Sequence, residues 1–329
     1  MKELIKRVVE TYGPSGSEEC IRDLIKQEIT PYVDEVQVDA LGNLIAIKRG
    51  GGKKLMLASH MDEIGVMVTH IDENGFLRFY SVGGLSPFSL IGNRCYFANG
   101  TVGVFGMEKL DEIKDLSMKK IFIDIGVDSR EEALKKVSLG DTAAIKREFN
   151  DLGNRLVSKA MDNRVSCAVL IEALKQVQNP VYDIYAVFTT QEEVGLRGAR
   201  VATFGITPDV GIAIDVTRTG DTPKSATMDV CLGKGPTVKV RDSSVLCTPA
   251  VRRHMEQVAK ANGIPYQLEV LEAGGTDAGA IQLTKSGIPA GVMSIPCRYV
   301  HTASEMVDYR DVEQGVRLIV KLMETDYQG

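Results

Sequence analysis

The chain has 329 residues, 44% of them hydrophobic and 25% charged, which is the composition of an ordinary globular protein. Its net charge of −5 gives no electrostatic reason to expect nucleic acid or an anionic membrane as a partner. The sequence contains no run of ~20 apolar residues that could span a bilayer, and charges interrupt the N-terminal segment where a signal peptide would be apolar. We therefore expect a cytoplasmic protein that binds neither nucleic acid nor membranes.

The N-terminal part of the chain alternates helix and strand patterns. Apolar residues at helical spacing predict a helix over residues 4–9, and Ser17 is expected to cap a second helix that continues to residue 29. Period-two and continuous apolar runs predict strands, the first two of them paired as a hairpin. These strands cover residues 36–38, 44–47 and 54–60.

Residues 65–146 differ from what precedes them, because short β-type runs separated by tight turns dominate. Asp72-Glu73-Asn74-Gly75 and Asn99-Gly100 are typical turn sequences. Several short strands at close spacing predict a small β-barrel or a sandwich. One helix, over residues 129–137, is expected to interrupt it.

After residue 156 the alternation of apolar strands and longer helices returns, which predicts a largely parallel sheet with helices on both faces. We therefore predict a doubly wound α/β domain made of residues 1–64 and 155–329, with an inserted β-barrel-like domain over residues 65–154. The elements expected in this part are helices over residues 165–177, 249–261 and 312–323 and strands over residues 184–188, 210–214 and 288–295.

Five short segments place metal-ligand side chains at the ends of apolar runs. His60 ends a predicted strand, and the pair Glu192-Glu193 and Asp215 each follow one. The other two segments contain Asp162 and His301. Open α/β sheets bind small molecules and ions just beyond the carboxyl ends of their strands. We therefore expect these side chains to meet at one edge of the sheet.

Each of these residues also has an ordinary structural explanation. Asp162 could cap the helix that begins near residue 165, Asp215 could be a turn residue, and Glu192-Glu193 could be a solvated pair. A single histidine at a strand end is usually structural. Their coincidence favours a functional site, because carboxylates and imidazoles avoid apolar flanks unless they are paired or bound to metal.

The donor set favours two divalent metal ions. Imidazole and carboxylate ligands suit zinc, cobalt or manganese, and the six scattered cysteines contain no CxxC pair. In His60-Met61-Asp62, the carboxylate of Asp62 is expected to hold the second ring nitrogen of His60. An odd number of ligands fits two ions that share one carboxylate. That shared role suits Asp162, which leaves one histidine and one other carboxylate for each ion.

Seven segments, in this order, carry a resemblance to a known family: YGPSGSEE, SHMDEIG, SKAMDNR, TTQEEVGLRGA, AIDVT, GGTDAGA and RYVHT. Over essentially its whole length the chain resembles the tetrahedral aminopeptidases, dinuclear metallopeptidases that include glutamyl and leucyl aminopeptidases. The resemblance implies that His60 and Asp215 bind one metal, that Glu193 and His301 bind the other, and that Asp162 bridges them.

The same resemblance implies an activity and an assembly. Peptides with a free N-terminus would lose one residue at a time to a metal-bridged water, with Glu192 as the general base and Asp62 beside it in the catalytic group. Dimers built by the inserted domain would assemble, six together, into a hollow tetrahedral dodecamer.

Three further alternatives remain. The N–H groups of Gly274, Gly275 and Thr276 could line a substrate pocket or only begin a helix. Glu192, paired with another acid, could catalyse glycoside hydrolysis in the manner of an endoglucanase, although the chain has no Trp to stack on a sugar. A non-catalytic metal-binding scaffold is the other alternative, and an additional glutamate beside a ligand argues against it.

Overall fold

The computed structural model describes residues 1–328. Its α-helices are α1 (Lys2–Glu10), α2 (Glu19–Ile29), α3 (Pro87–Leu90), α4 (Arg130–Leu134), α5 (Met161–Gln176), α6 (Arg197–Ile206), α7 (Pro249–Ala261), α8 (Asp277–Gln282) and α9 (Tyr309–Met323). Its β-strands are β1 (Glu35–Val38), β2 (Leu44–Lys48), β3 (Lys54–His60), β4 (Gly65–Ile71), β5 (Leu77–Val82), β6 (Arg94–Phe97), β7 (Val102–Met107), β8 (Ile121–Asp124), β9 (Thr142–Lys146), β10 (Asn150–Asp151), β11 (Arg155–Ser158), β12 (Asp183–Thr189), β13 (Val210–Thr217), β14 (Thr237–Arg241), β15 (Gln267–Val270), β16 (Ala290–Arg298) and β17 (Glu305–Asp308). Short 3₁₀ turns lie at Thr30–Tyr32, Ile113–Asp115 and Met118–Lys120.

The large sheet has the strand order β1-β2-β12-β3-β13-β16-β17-β11-β10, and β14 and β15 join it through β16. Its centre is parallel, because β12 pairs with β3, β3 with β13 and β13 with β16 in that sense. Antiparallel strands complete both sides. Since parallel strands end at the same edge, this centre brings the carboxyl ends of β12, β3 and β13 together.

Successive residues of the central strands face opposite sides of the sheet, as the two-residue period of a strand requires. In β3, Leu55 and Leu57 pack in a hydrophobic cluster with α1, α2, α5, α7 and α9. Met56 and Ala58 pack in a second cluster with α6 and α8. Helices therefore cover both faces, which confirms the predicted doubly wound α/β class.

The β-rich middle of the chain forms a closed antiparallel barrel in the order β4-β5-β8-β7-β6-β9. The barrel has its own hydrophobic cluster, which includes Val66, Phe105 and Ile123. Ala303, from the loop between β16 and β17, also belongs to this cluster. The small barrel-like unit is confirmed, whereas its limits at residues 65–154 and its part in dimerisation stay predictions.

Several predicted element limits were wrong. α2 begins at Glu19 with Glu18 at its N-cap, because the Ser17 hydroxyl instead accepts a hydrogen bond from Thr142 Oγ1 at 2.9 Å. The helix in the barrel is shorter than predicted and covers Arg130–Leu134. β13 continues to Thr217, so Asp215 lies inside the strand rather than after it. Within residues 1–328, none of the helices has both the length and the apolar character needed to cross a bilayer.

Candidate metal centre

Five of the predicted ligands meet at the carboxyl edge of the parallel centre. His60 is the last residue of β3, and Asp215 lies near the end of the adjacent strand β13. Glu193 follows β12, the neighbour of β3 on the other side. Asp162 lies in the first turn of α5, and His301 lies in the loop between β16 and β17. Two strands, two connecting segments and the start of one helix therefore converge on one point.

Two overlapping groups of donors form there. Ligand atoms of His60, Asp162 and Asp215 all lie within 4.8 Å of one another, and so do those of Asp162, Glu193 and His301. Asp162 belongs to both groups. The first group, in which His60 and Asp215 come from β-strands, is called the strand subsite below. The second group, in which Glu193 and His301 come from connecting segments, is called the loop subsite.

Asp162 is the member that the two subsites share. Its Oδ1 lies 3.2 Å from His60 Nε2, and its Oδ2 lies 3.3 Å from His301 Nε2. His60 Nε2 is also 3.8 Å from Asp215 Oδ1, and His301 Nε2 is 3.2 Å from Glu193 Oε2. Each oxygen of one carboxylate thus faces a different imidazole and a different second carboxylate.

These residues fit divalent metal ions. Their donor atoms are imidazole nitrogens and carboxylate oxygens, the set that suits first-row metals such as zinc, cobalt or manganese. Glu193 Oε1 is buried and has no hydrogen-bond partner among residues 1–328, and a buried charged oxygen without a partner is costly. A cation at the loop subsite would supply the missing partner.

The electrostatics of the cluster point the same way. Burial raises the pKa of Asp215 well above its ordinary value, and the nearby Asp162 carboxylate adds to this rise. Burial alone would lower the pKa of His301, but Asp162 and Glu193 raise it to about 12. Several acids are therefore held together away from water, an arrangement that a bound cation would stabilise.

Asp62 connects the strand subsite to the two glutamates. Its Oδ1 lies 3.4 Å from His60 Nδ1, the ring nitrogen that faces away from the other ligands. The N–H groups of Glu192 and Glu193 donate to its two oxygens at 3.1 and 3.2 Å, and the Ser15 hydroxyl donates at 2.6 Å. Asp62 is fully buried. It therefore fixes both the ring of His60 and the turn that follows β12.

Glu192 and Glu193 reach the same site because the chain turns after β12, as predicted. Gln191 has a left-handed φ of 54°, and the Gly195 N–H donates to the Glu192 carbonyl at 2.9 Å. Glu192 Oε2 lies 3.9 Å from His60 Nε2. Burial raises the pKa of Glu192 well above its ordinary value, against the opposing effect of His60.

A cavity of about 360 Å³ opens onto this cluster. Gly274 and Gly275 line it, together with apolar residues such as Leu196, Leu271 and Val300. Thr276 is not among the residues that line the cavity, and it is the N-cap of α8, which is the other alternative for this segment. Its side chain is buried and donates to Asp242 Oδ2 at 3.2 Å, while its N–H donates to the Ser244 hydroxyl at 3.1 Å.

The sequence interpretation missed two neighbours of the loop subsite. Glu305 is buried, and its carboxylate accepts hydrogen bonds from the N–H groups of Asp162 and His301 at 2.9 and 2.8 Å. Gly84 of the barrel packs so closely that a Cβ there would lie 2.8 Å from His301 Nδ1. An acid at the start of a short strand and a Gly-Gly pair in a loop are common, so neither was a distinctive signal.

Known proteins resemble the chain over nearly its full length. A provisionally named aminopeptidase of Acetivibrio thermocellus is 54% identical over 322 residues, which cover 98% of each chain. The solved aminopeptidase of Desulfurococcus kamchatkensis is 37% identical with a TM-score of 0.94, covering 99% of this chain and 94% of that one. The Pyrococcus horikoshii TET1 peptidase is 34% identical with a TM-score of 0.89, covering 98% of each.

The comparisons also correct the glycoside-hydrolase alternative. A Thermotoga maritima structure whose name is endoglucanase is 34% identical with a TM-score of 0.83, covering 97% of this chain and 96% of that one. Residues 42–318, however, match the model of the Peptidase M42 family, described as M42 glutamyl aminopeptidase. The lysyl aminopeptidase of Pyrococcus furiosus is likewise 39% identical over 336 residues, 98% of this chain and 96% of that one. We therefore reject the glycoside-hydrolase alternative and conclude that the chain belongs to the M42 peptidase family.

Proposed function

We propose that the protein is a metal-dependent aminopeptidase that removes N-terminal residues from peptides. The observation that carries the proposal is the shared carboxylate of Asp162, whose two oxygens lie 3.2 and 3.3 Å from the imidazoles of His60 and His301. One carboxylate between two sets of donors is the arrangement that a pair of metal ions requires. The names of the relatives support the same activity.

Five residues would hold the metals. His60 and Asp215 would bind one ion, Glu193 and His301 the other, and Asp162 both. Two bound divalent ions would lower the pKa of a water molecule, which makes it a nucleophile, and would polarise the scissile carbonyl. Zinc and cobalt are the first candidates for these donors, with manganese as a third.

Glu192 is the residue that we assign as the general base. It lines the cavity beside the ligands without belonging to either subsite, and burial raises the pKa of its carboxyl. In this role it accepts a proton from the attacking water as the new C–O bond forms. It then gives that proton to the leaving amine as the C–N bond breaks, so that no proton is lost or gained overall.

Asp62 acts through the residues that it holds. Because its carboxylate faces His60 Nδ1, the imidazole keeps Nε2 free to bind a metal. Because it also accepts the N–H groups of Glu192 and Glu193, the base and a ligand keep a fixed separation. We therefore group Asp62 with the catalytic machinery as a positioning residue.

The substrate end follows from charge. A free α-ammonium group beside several carboxylates is favoured over an acetylated, uncharged terminus. Peptides with acetylated N-termini should therefore be cut far more slowly than the same peptides with free termini. Equal rates for both, or cleavage at internal bonds, would contradict an aminopeptidase.

Self-association is part of the same proposal. The name of the Pyrococcus horikoshii relative states that it assembles into a tetrahedron or a large octahedral shell. We propose a homododecamer built from dimers, with the barrel at the dimer contact. Light scattering should then give a particle much larger than the 35.8 kDa chain, and deletion of residues 66–150 should reduce it.

One experiment tests the activity most directly. The chain is stripped of metal with a chelator and assayed on a panel of aminoacyl anilides, with zinc, cobalt or manganese added back. We expect no activity without metal, recovery on addition, and about two metals per chain by elemental analysis. Full activity in the metal-free protein would refute the proposal, and binding without turnover on any anilide or peptide would favour a metal-binding scaffold.

A further inference from the structure

Glu305 is the first residue of β17 and lies behind the metal centre. It is 1% exposed and pairs with Ser158 of β11 in the large sheet. It does not line the cavity, and it does not belong to either group of candidate ligands. The residue therefore cannot touch a substrate in the cavity, and any effect on the reaction must pass through its neighbours.

Those neighbours are two members of the loop subsite. Glu305 Oε2 accepts the N–H of Asp162 at 2.9 Å, and Oε1 accepts the N–H of His301 at 2.8 Å. The side chains of Asp162 and His301 meet each other at 3.3 Å. One carboxylate thus fixes the distance between two main-chain segments that are far apart in sequence, and that distance sets how their ligand atoms meet.

His301 needs such support more than the ligands on strands do. It lies in a connecting segment and has a φ of 64°, a left-handed conformation that costs a non-glycine residue free energy. A backbone of this kind persists only where the surroundings hold it in place. The hydrogen bond from the His301 N–H to Glu305 is the contact that does so on the side away from the cavity.

We propose that Glu305 is a positioning residue that fixes Asp162 and His301 in the geometry needed to bind a metal at the loop subsite. The inference rests on the proposed function, since it presumes that this subsite binds a metal. Asp62 provides an internal parallel, because its two oxygens accept the N–H groups of Glu192 and Glu193. Each carboxylate accepts two backbone N–H groups of the site, and only Asp62 also contacts an imidazole.

The test compares metal binding in Glu305→Gln and in a matched control. The amide of Gln keeps one acceptor oxygen, but its NH₂ group must face one of the two backbone N–H groups. Asp311 offers the control, because it is also 1% exposed and accepts the N–H groups of Gly233 and Gly235 at 2.6 and 2.7 Å, outside the metal centre. Asp311→Asn therefore makes the same kind of change away from the ligands.

Metal-free parent and variants are titrated with Co²⁺ and followed by calorimetry and visible absorption. We expect two binding steps in the parent. In Glu305→Gln the weaker step should lose affinity by about 10–100-fold, the usual effect of losing a group that orients a ligand, and the absorption of the second equivalent should change. Asp311→Asn should lower the melting temperature and leave both steps within about twofold, because neither segment that it holds carries a ligand.

Other outcomes overturn the inference. Unaltered Co²⁺ binding in a folded Glu305→Gln, with only a lower melting temperature, would make Glu305 merely structural. Glu305→Asp, which keeps both acceptor oxygens on a shorter side chain, serves if Glu305→Gln does not fold and should show a smaller loss at the same step. Failure of both to fold while Asp311→Asn folds would likewise assign Glu305 to stability alone. A parent that binds no Co²⁺ would instead refute the proposed function itself.

Discussion

The two halves of the candidate metal centre are built from different kinds of structure. His60 and Asp215 of the strand subsite lie on adjacent parallel strands, and both are nearly inaccessible to solvent. Glu193 and His301 of the loop subsite lie on connecting segments, and the His301 side chain is 28% exposed. The same donor chemistry is therefore presented once by a sheet and once by loops.

The difference shows where each half obtains its rigidity. Strands inside a sheet are held by hydrogen-bond ladders on both sides, so β3 and β13 hold the backbones of His60 and Asp215 in place. The connecting segments need separate supports, which Asp62 and Glu305 provide through backbone N–H groups. We therefore expect the strand subsite to bind metal more tightly and the loop subsite to lose its metal first during chelation.

The largest effect is expected from the residue that belongs to both halves. Asp162→Asn keeps the size of the side chain but replaces one shared anionic oxygen by an NH₂ group, which cannot bind a metal. Both Co²⁺ steps should weaken, and activity should fall to the background rate. A variant that keeps one tight metal and a substantial fraction of the parent activity would show that the halves are independent.

Separating base from ligand gives the next largest effect. Glu192→Gln cannot accept the proton of water, so kcat should fall by about 10²–10⁴-fold while metal content stays near that of the parent. Glu193→Gln should weaken only the loop subsite, and high metal concentration should restore part of the activity. The measurement is kcat and bound metal for both variants side by side. Metal loss in Glu192→Gln, with retention in Glu193→Gln, would reverse the two assignments.

A smaller effect should come from the barrel side of the loop subsite. A Cβ added at Gly84 would lie 2.8 Å from His301 Nδ1, so Gly84→Ala must displace the imidazole. We expect about tenfold weaker binding of the second metal, in the range for lost ligand orientation, and an unaltered first step. Gly205→Ala is the control, because no atom lies within 4 Å of a Cβ at that helical position. Equal metal binding in both variants would contradict a contact between the barrel and His301.

The smallest effect on activity, but a measurable one on stability, is expected at Glu18. Burial raises the pKa of Glu18 to about 7, against the N–H groups of Gly16 and Gln191, which both donate to Oε1. Because the pKa in the folded state is the higher one, the native state is penalised as pH rises from about 4.5 through 7. Glu18→Gln can keep both hydrogen bonds through its single oxygen and removes the buried charge, so it should stabilise the protein by about 3 kcal/mol at pH 8.

Thermal unfolding of Glu18→Gln and its parent at pH 5 and pH 8 checks this sign. The difference between the two proteins should be small at pH 5 and should grow at pH 8. Glu18 holds Gln191 beside the two glutamates but contacts no proposed metal ligand. Its variant therefore tests whether a support one step removed from the subsites affects stability and not metal binding. A gain in stability that is independent of pH would show that burial of the charge is not its cause.

The strand subsite could be located from the sequence because the end of an apolar run marks the end of a buried strand. Apolar runs before His60 and Asp215 and the turn after β12 place these side chains at one edge, which the structure confirms for their positions. The α/β class and the barrel could also be predicted, because both follow from the periodicity of apolar residues, and the structure confirms both. α6, in contrast, was missed because its sequence contains two glycines and few strong helix formers.

The supports of the loop subsite could not be predicted in the same way. Glu305 and Gly84 act through main-chain contacts and through close packing, and neither leaves a pattern in the sequence. Ser17 illustrates the opposite error, because a small polar residue near a helix start has several partners available. Its hydroxyl accepts a hydrogen bond from Thr142, a partner that is distant in sequence.

Ala303 shows that the barrel and the candidate metal centre are not separate structural units. It lies two residues after His301 and packs in the hydrophobic cluster of the barrel, while a Cβ at Gly84 of the barrel would lie 2.8 Å from the imidazole. Replacing the barrel by another domain would therefore remove one wall of a ligand-bearing loop. A chimaera that exchanges only the barrel strands should lose its second metal, whereas one that also carries the matching loop between β16 and β17 should retain it. In the design of such chimaeras, the unit of exchange is the barrel together with that loop.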